Sequence, residues 1–390
     1  MFYQMAKYAV VPFVWLVFQK ASCAVIKNDG QEDQLLAVVT LFRHGDRAPT
    51  KSFPNDPYFN ESYWPMGHGQ LTDAGKKRMY ELGKWLRKRY GSFLQEEYSP
   101  KDIYVRSTDR DRCLMSAYAV LAGLFPPKGS LLWNKDLQWQ PIPVHTVPID
   151  KDEVLSMRKK CQKYINLFEK TMISDYVKKI TSKFYDFFNC VARYTGWGDV
   201  DISHVAKLQT NLDVYSSYNR SFIPPWSKFL DNKVLEYLAA INHQRSTLTP
   251  ALKRLLTGPF WSNLLAHFDN VVNNVDGTPK FLMLSAHDTT IVSILNCVDA
   301  YDFSPPNFGA TLIWEMRKNC DGVYYINLFY KKSETQVERM RLGEHGLNCE
   351  YKDFKNLLQP LVVDGYDWEE ECEDVTHISR PRPEKKPFFV

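Results

Sequence analysis

The 390-residue chain lacks any apolar run long enough to cross a bilayer. The run Tyr8 to Phe18 covers 11 residues, where about 20 are needed for the hydrocarbon core, and no later run is longer. Charge of one sign is also lacking, since 49 Lys and Arg stand against 45 Asp and Glu and leave a net charge of +4. The two signs are interspersed, so the overall balance argues for neither nucleic acid nor an anionic membrane as partner. No two cysteines have Cys-x-x-Cys spacing, which removes zinc-ribbon and thioredoxin readings. His-Glu-x-x-His, a Walker loop and a Gly-x-Ser-x-Gly elbow are all absent. No segment recurs at a fixed period, which disfavours a solenoid. What is present is an ordinary globular composition, 44% hydrophobic, 24% charged and 14% aromatic. At this length, one large domain with an inserted subdomain and two separate domains are both allowed.

Residues 1–23 read as a secretory signal peptide: Lys7, the apolar run Tyr8 to Phe18, then the small-residue triplet Ala21-Ser22-Cys23. A buried core helix is the competing reading. The expectation is therefore a secreted, extracellular protein without a membrane anchor. Residues 377–390, containing the proline-rich segment Arg380 to Pro387, read as a flexible tail. Export makes disulfides admissible. Of the 8 cysteines, cleavage after Cys23 would leave an odd number, and hence at least one free or intermolecular thiol. Asn60-Glu61-Ser62 and Asn219-Arg220-Ser221 are glycosylation sequons, placing candidate glycans on Asn60 and Asn219.

Gln34 to Phe42 is an apolar, β-branched run of strand length that delivers residues 43–49 at its carboxyl end. Thr72 opens a helix through about Tyr90, with Met79, Leu82 and Leu86 on one stripe. Its basic runs, Lys76-Lys77-Arg78 and Arg87-Lys88-Arg89, read as a solvated face. The pattern recurs twice: Ile103 to Val105 runs into Arg106 and a helix from Arg110 to Leu124, and Lys280 to Ser285 runs into His287-Asp288 and a helix from Ile291 to Val298. In open α/β sheets, ligands bind at the carboxyl ends of strands, where all three polar loops fall. Strand patterns nearly vanish between residues 152 and 245, which reads as a helical cap inserted into a discontinuous α/β core of residues 34–151 and 246–376. Thr311 to Met316 and Val323 to Tyr330, separated by the turn Asn319 to Gly322, predict an antiparallel hairpin completing a mixed central sheet.

The chemistry concentrates in Arg43-His44-Gly45-Asp46-Arg47-Ala48-Pro49. Two guanidiniums four residues apart present rigid forks of donors to a tetrahedral oxyanion. A histidine between them stands in a positive field that keeps its imidazole neutral and nucleophilic. Arg106 is expected in the same layer at the end of the second strand, and His287-Asp288 at the end of the third. This set suits phosphoryl transfer through a phosphohistidine. His44 attacks phosphorus, while Arg43, Arg47, Arg106 and His287 hold the equatorial oxygens. Asp288, protonated at low pH, donates a proton to the leaving alcohol and then deprotonates water. No cofactor or metal is called for, because arginine supplies the positive charge.

These segments, with Tyr104 to Asp109, Leu124 to Pro127, Gln138 to Thr146 and Ser285 to Thr290, resemble the signatures of the histidine acid phosphatases of the histidine phosphatase superfamily. The resemblance is greatest to the prostatic and lysosomal type and spans about Leu35 to Cys372. It implies an α/β core under a helical cap, hydrolysis of small phosphate monoesters at acid pH, and often a homodimer. All six of Arg43, His44, Arg47, Arg106, His287 and Asp288 occupy the family's phosphate-site positions. The resemblance also implies a Cys161–Cys372 disulfide and a Cys320–Cys349 clip, leaving Cys113, Cys190 and Cys297 without assigned partners. A further bridge of vertebrate members would join residues 215–219 to 307–311, where this chain has no cysteine. The competing function is a catalytically weak or inactive secreted binding protein that holds amines or lipids in an aromatic cap cleft. A phytase-like specialist is disfavoured by the single lysine, Lys51, after the motif.

Overall fold

The computed structural model describes residues 33–363 and 365–373. The expected signal peptide at 1–23, with Cys23, and the expected tail at 377–390 lie outside the described residues. Strand β1 (Gln34–Arg43) is followed by α1 (Asp73–Tyr90), β2 (Ile103–Thr108), α2 (Asp111–Leu124) and the short β3 (His145–Val147). Five helices come next: α3 (Gln162–Met172), α4 (Asp175–Lys183), α5 (Tyr185–Thr195), α6 (Ile202–Tyr218) and α7 (Asn232–Gln244). The chain then forms α8 (Pro250–Val272), β4 (Phe281–Ala286) and α9 (Asp288–Cys297). It ends with β5 (Thr311–Lys318), β6 (Tyr324–Lys331), β7 (Val337–Met340), β8 (Cys349–Glu350), α10 (Tyr351–Leu358) and α11 (Gly365–Glu373).

The strands form one mixed sheet in the order β3-β2-β4-β1-β5-β6-β7, with β8 also on β6. β1, β2, β3 and β4 run parallel, and the expected β5–β6 hairpin closes the sheet antiparallel to β1. The apolar run of β1 is explained by burial on both faces. Ala37, Val39 and Leu41 pack toward α8 and α9, whereas Val38 and Phe42 pack toward α1 and α2. The α/β expectation is thus met, with helices on both faces of a mixed sheet.

The basic runs of α1 are not uniformly solvated as expected. Arg78 pairs with buried Asp46 at 2.6 Å, Arg87 Nε donates to the Leu124 carbonyl at 2.6 Å, and Arg89 pairs with buried Glu315 at 2.8 Å. Long guanidinium stems reach acceptors in the core that a helical-wheel reading cannot see. Lys76, Lys77 and Lys88 do remain exposed.

Helices α4 to α7 enclose an apolar cluster containing Ile180, Phe188, Val191, Leu208, Tyr215, Leu238 and Ile241. Ala48, Phe53 and Trp64, from the segment that follows the Arg43–Arg47 motif, pack into that same cluster. Trp64 lies 4.6 Å from the Tyr218 ring. Helix α3 packs against α8 and α11 instead, and the Cys161–Cys372 disulfide joins the residue before α3 to α11. The Cys320–Cys349 clip does not form; both are free thiols. Cys349 is buried on β8 opposite Ile326, whereas Cys320 is exposed in the turn beyond Lys318 and Tyr324, on the hairpin's far end. Two further residues of strand, at about 3.3 Å each, separate the buried Cys349 from the exposed turn that holds Cys320. Cys113, Cys190 and Cys297 are free as well.

Candidate active site

Three parallel strands deliver the polar residues to one edge of the sheet. Arg43 is in register with Ala286 on β4, the residue before His287. Gly45 then turns the chain against α1. A Cβ there would meet the Gly75 carbonyl oxygen at 2.6 Å, and one on Gly75 would meet the Asp46 oxygen at 2.1 Å. Only two glycines permit this approach. The loop is held by Thr72, the N-cap of α1, whose backbone N–H donates to the Asp46 carbonyl at 3.0 Å. Asp46 itself is turned from the site by Arg78.

His44 is buried, and its Nδ1 lies 2.9 Å from the Gly45 carbonyl oxygen. A carbonyl can only accept, so Nδ1 carries the hydrogen and the lone pair is on Nε2. Burial, followed by Arg43, Arg112, Arg47 and His287, holds the imidazole well below its ordinary range. The neutral nucleophile expected from the charge field therefore owes its state to desolvation first and to the arginines second. His287 is the N-cap residue of α9. Its Nε2 lies 3.1 Å from Thr108 Oγ1, its ring centroid is 5.7 Å from that of His44, and the Cys113 sulfur is 3.8 Å from either ring nitrogen. Burial and then Arg112 push the His287 imidazole down to about 3, so it acts as a neutral hydrogen-bonding ring.

Asp288 opens α9 and pairs with Arg43, Oδ2 to Nη2, at 3.0 Å. Burial alone would raise its carboxyl, but the Arg43 guanidinium beside it outweighs burial and holds it well below the usual carboxylate range. The carboxylate form is thereby favoured beside Arg43, where the sequence reading expected a carboxylic acid at low pH.

Arg106 is not in the same layer as Arg43. In the β2–β4 register it stands opposite Leu284, two residues below Ala286, and Thr108 is the residue level with Arg43. There it is buried and paired with Asp152, Nη2 to Oδ1, at 2.8 Å. Asp152 also accepts the backbone N–H groups of Val154, Leu155 and Ser156. Arg47 is buried with Nη1 on the Ala48 carbonyl, and burial, then Arg43 and Arg112, push its guanidinium down to about 9.

Sequence reasoning missed Arg112, the second residue of α2. It bears on His44, Arg47 and His287 together. Its signal was available, because Arg112 follows Arg106 by six residues at the same strand-to-helix turn. Phe308 had no signal. Its ring lies 4.0 Å under the Arg43 guanidinium and also packs against the α4–α7 cluster, so the segment before β5 meets those helices without a disulfide. His243 on α7 was also missed; its Nδ1 is buried with no partner, and it adds to the field on Asp288.

The Nε atoms of Arg43, Arg47, Arg106 and Arg112 are each buried without an acceptor. Four guanidiniums against Asp288 and Asp152 leave an excess of positive charge and of donors, which suits a compact polyoxygen anion. Among the described residues, no group of three or more His, Cys, Asp or Glu side chains is arranged to hold a metal ion. Among them, no helix is long and apolar enough to cross a membrane.

Residues 34–331 match the family described as Histidine phosphatase superfamily (branch 2). Prostatic acid phosphatase from Bos taurus is 36% identical over 351 residues, covering 87% of this chain and 88% of that protein. Lysosomal acid phosphatase from Xenopus laevis is 34% identical over 357 residues, covering 89% of this chain and 81% of that protein. Among solved structures, phytase from Citrobacter braakii is similar with a TM-score of 0.63 at 19% identity, covering 87% of this chain and 99% of that one. Hafnia alvei phytase in complex with tartrate gives 0.66 at 16% identity, covering 86% and 98%. At those identities the phytases speak for a shared fold alone.

Proposed function

This chain belongs to branch 2 of the histidine phosphatase superfamily, and from that premise we propose that it is an acid phosphatase hydrolysing phosphate monoesters through a phosphohistidine on His44. The observation that carries the reading is the set of three guanidiniums, those of Arg43, Arg47 and Arg112, each with a buried Nε lacking an acceptor, around one neutral imidazole. The ester's phosphoryl oxygens take up the free donors of Arg43, Arg47, Arg106 and Arg112, and His287 adds a neutral hydrogen bond. His44 Nε2 then forms the N–P bond as the P–O bond to the alcohol breaks.

Asp288 is ionised before substrate binds, so the proton for the leaving oxygen comes in with the ester, which is a monoanion at acid pH. Phosphate oxygens beside Arg43 weaken the 3.0 Å Arg43–Asp288 pair and raise the carboxyl's proton affinity. Asp288 accepts that proton, passes it to the departing alkoxide, and afterwards takes one from the water that cleaves the phosphohistidine. Charge on the transferring group is balanced by arginine throughout. Export follows from the leader-like first residues and agrees with the Cys161–Cys372 disulfide; Asn60 and Asn219, both exposed, are the glycan positions. Helices α4 to α7 act as the cap that meets the leaving group.

The test is rapid quenching with ³²P-labelled ester at acid pH, alongside His44→Ala. Label on His44 in the native protein and none in the variant is expected. Turnover without labelled histidine, or equal activity in the two proteins, refutes the reading.

A further inference from the structure

The near-neutral charge of the whole chain conceals an uneven distribution. Helices α3 to α5, residues 162–195, hold six Lys and Arg against three Asp and Glu, so three of the chain's four net positive charges lie there. The excess is concentrated on α4. Its inward residues Val177 and Ile180, with Phe184 just beyond, pack on the cap cluster. Its outward arc carries Tyr176, Lys178, Lys179 and Lys183, all exposed. Among the described residues none of these three lysines forms an ion pair, whereas Lys159, Lys253, Lys332 and Lys355 elsewhere all do.

Large apolar side chains bracket the lysines. Ile173, just before α4, is 69% exposed, and Tyr185, just after it, is 63% exposed. The nine residues of α4 that lie between them rise about 14 Å at 1.5 Å per residue. The surface continues onto α7, where the exposed Tyr237 ring lies 5.8 Å from Phe184, and Lys183 Nζ is 5.3 Å over that same ring. The opposing charges on this face are Asp175 in the first turn of α4 and Asp186 in the first turn of α5, where each favours its own helix N-terminus.

We propose that this face of the cap docks on an anionic lipid bilayer, Ile173 and Tyr185 entering the interface while Lys178, Lys179 and Lys183 face the headgroups. Isolated apolar side chains standing out of a convex surface suit the acyl–headgroup boundary, and lysines act as point charges that need no fixed geometry from mobile lipids. Positive charge opposite a negative surface potential supplies the attraction. The docking depends on the cap surface alone and stands apart from the chemistry of His44.

The test is flotation of the purified full-length protein with phosphatidylcholine vesicles, with and without phosphatidylserine. Binding only to the anionic vesicles, weakened by salt, is expected. Lys178→Gln with Lys179→Gln and Lys183→Gln should weaken it about a hundredfold, at about fivefold per lysine. Ile173→Ser with Tyr185→Ser should weaken it independently, and hydrolysis of a soluble aryl phosphate, unchanged in both variants, reports that the fold is intact. Equal binding to the two vesicle types, or retention by the triple variant, overturns the proposal. So does a solution dimer that Ile173→Ser dissolves, because a second copy would then cover the face.

Discussion

Asp288→Asn separates the two duties assigned to one carboxylate. The substitution keeps the shape beside Arg43 and the acceptor for Thr289 N–H, now 2.7 Å from Oδ1, but removes the ability to carry a proton. A positioned general acid or base contributes about 10²- to 10⁴-fold, which is about 3 to 5 kcal/mol of barrier at 1.36 kcal/mol per decade. For an alkyl phosphate, whose alkoxide must be protonated to leave, kcat/KM should fall by that whole factor. For a nitrophenyl phosphate the phenolate departs as the anion, so kcat/KM should fall far less. Its kcat should still fall, because water then attacks the phosphohistidine without a base. Quenched-flow with the nitrophenyl ester should therefore show a burst close to one phenolate per active site, followed by slow turnover, with phosphate accumulating on His44. Equal losses for the two esters and no burst would show that Asp288 serves only to orient Arg43.

Two other perturbations probe the charge balance. Arg112→Gln should lower kcat/KM tenfold to about a hundredfold, since a hydrogen bond to a charged group is worth about 1.5–3 kcal/mol, and should weaken inhibition by inorganic phosphate in parallel; unchanged inhibition places Arg112 outside the anion site. His267, in α8, is lowered to about 4 by burial, against about 6.5 in an unfolded chain. Its neutral ring costs nothing above that unfolded value, and the stability it permits is lost as pH falls from about 6.5 toward 4, by about 3 kcal/mol. His267→Phe should shrink the difference in urea-unfolding free energy between neutral pH and pH 4; an unchanged difference refutes the assignment.

Much of the site was legible because its parts are local. A β-branched run followed by Arg43-His44-Gly45 announces a strand delivering a turn, and Ser285 to Thr290 repeats the pattern in β4 and α9. The depth of Arg106 was not legible, because a two-residue step in the β2–β4 register depends on how separate strands pair. Nor was the downward shift of the Asp288 carboxyl, which results from Arg43 arriving from β1. Cys320 and Cys349 stay unpaired, because one lies in an exposed turn and the other is buried on β8.

The sequence by itself determined the strands β1, β2, β4, β5 and β6 with the helices α1, α2 and α9, the turn at Gly45, and that histidine, aspartate and arginine gather at strand ends, since periodicity and backbone freedom are properties of short stretches. Only the tertiary structure decided that Arg112 bears on His44, Arg47 and His287, that Asp152 pairs with Arg106, that Phe308 lies under Arg43, and that α4 turns its lysines outward. Those outcomes rest on burial and on charges brought together from distant parts of the chain, and neither desolvation nor a long-range field has a local signature.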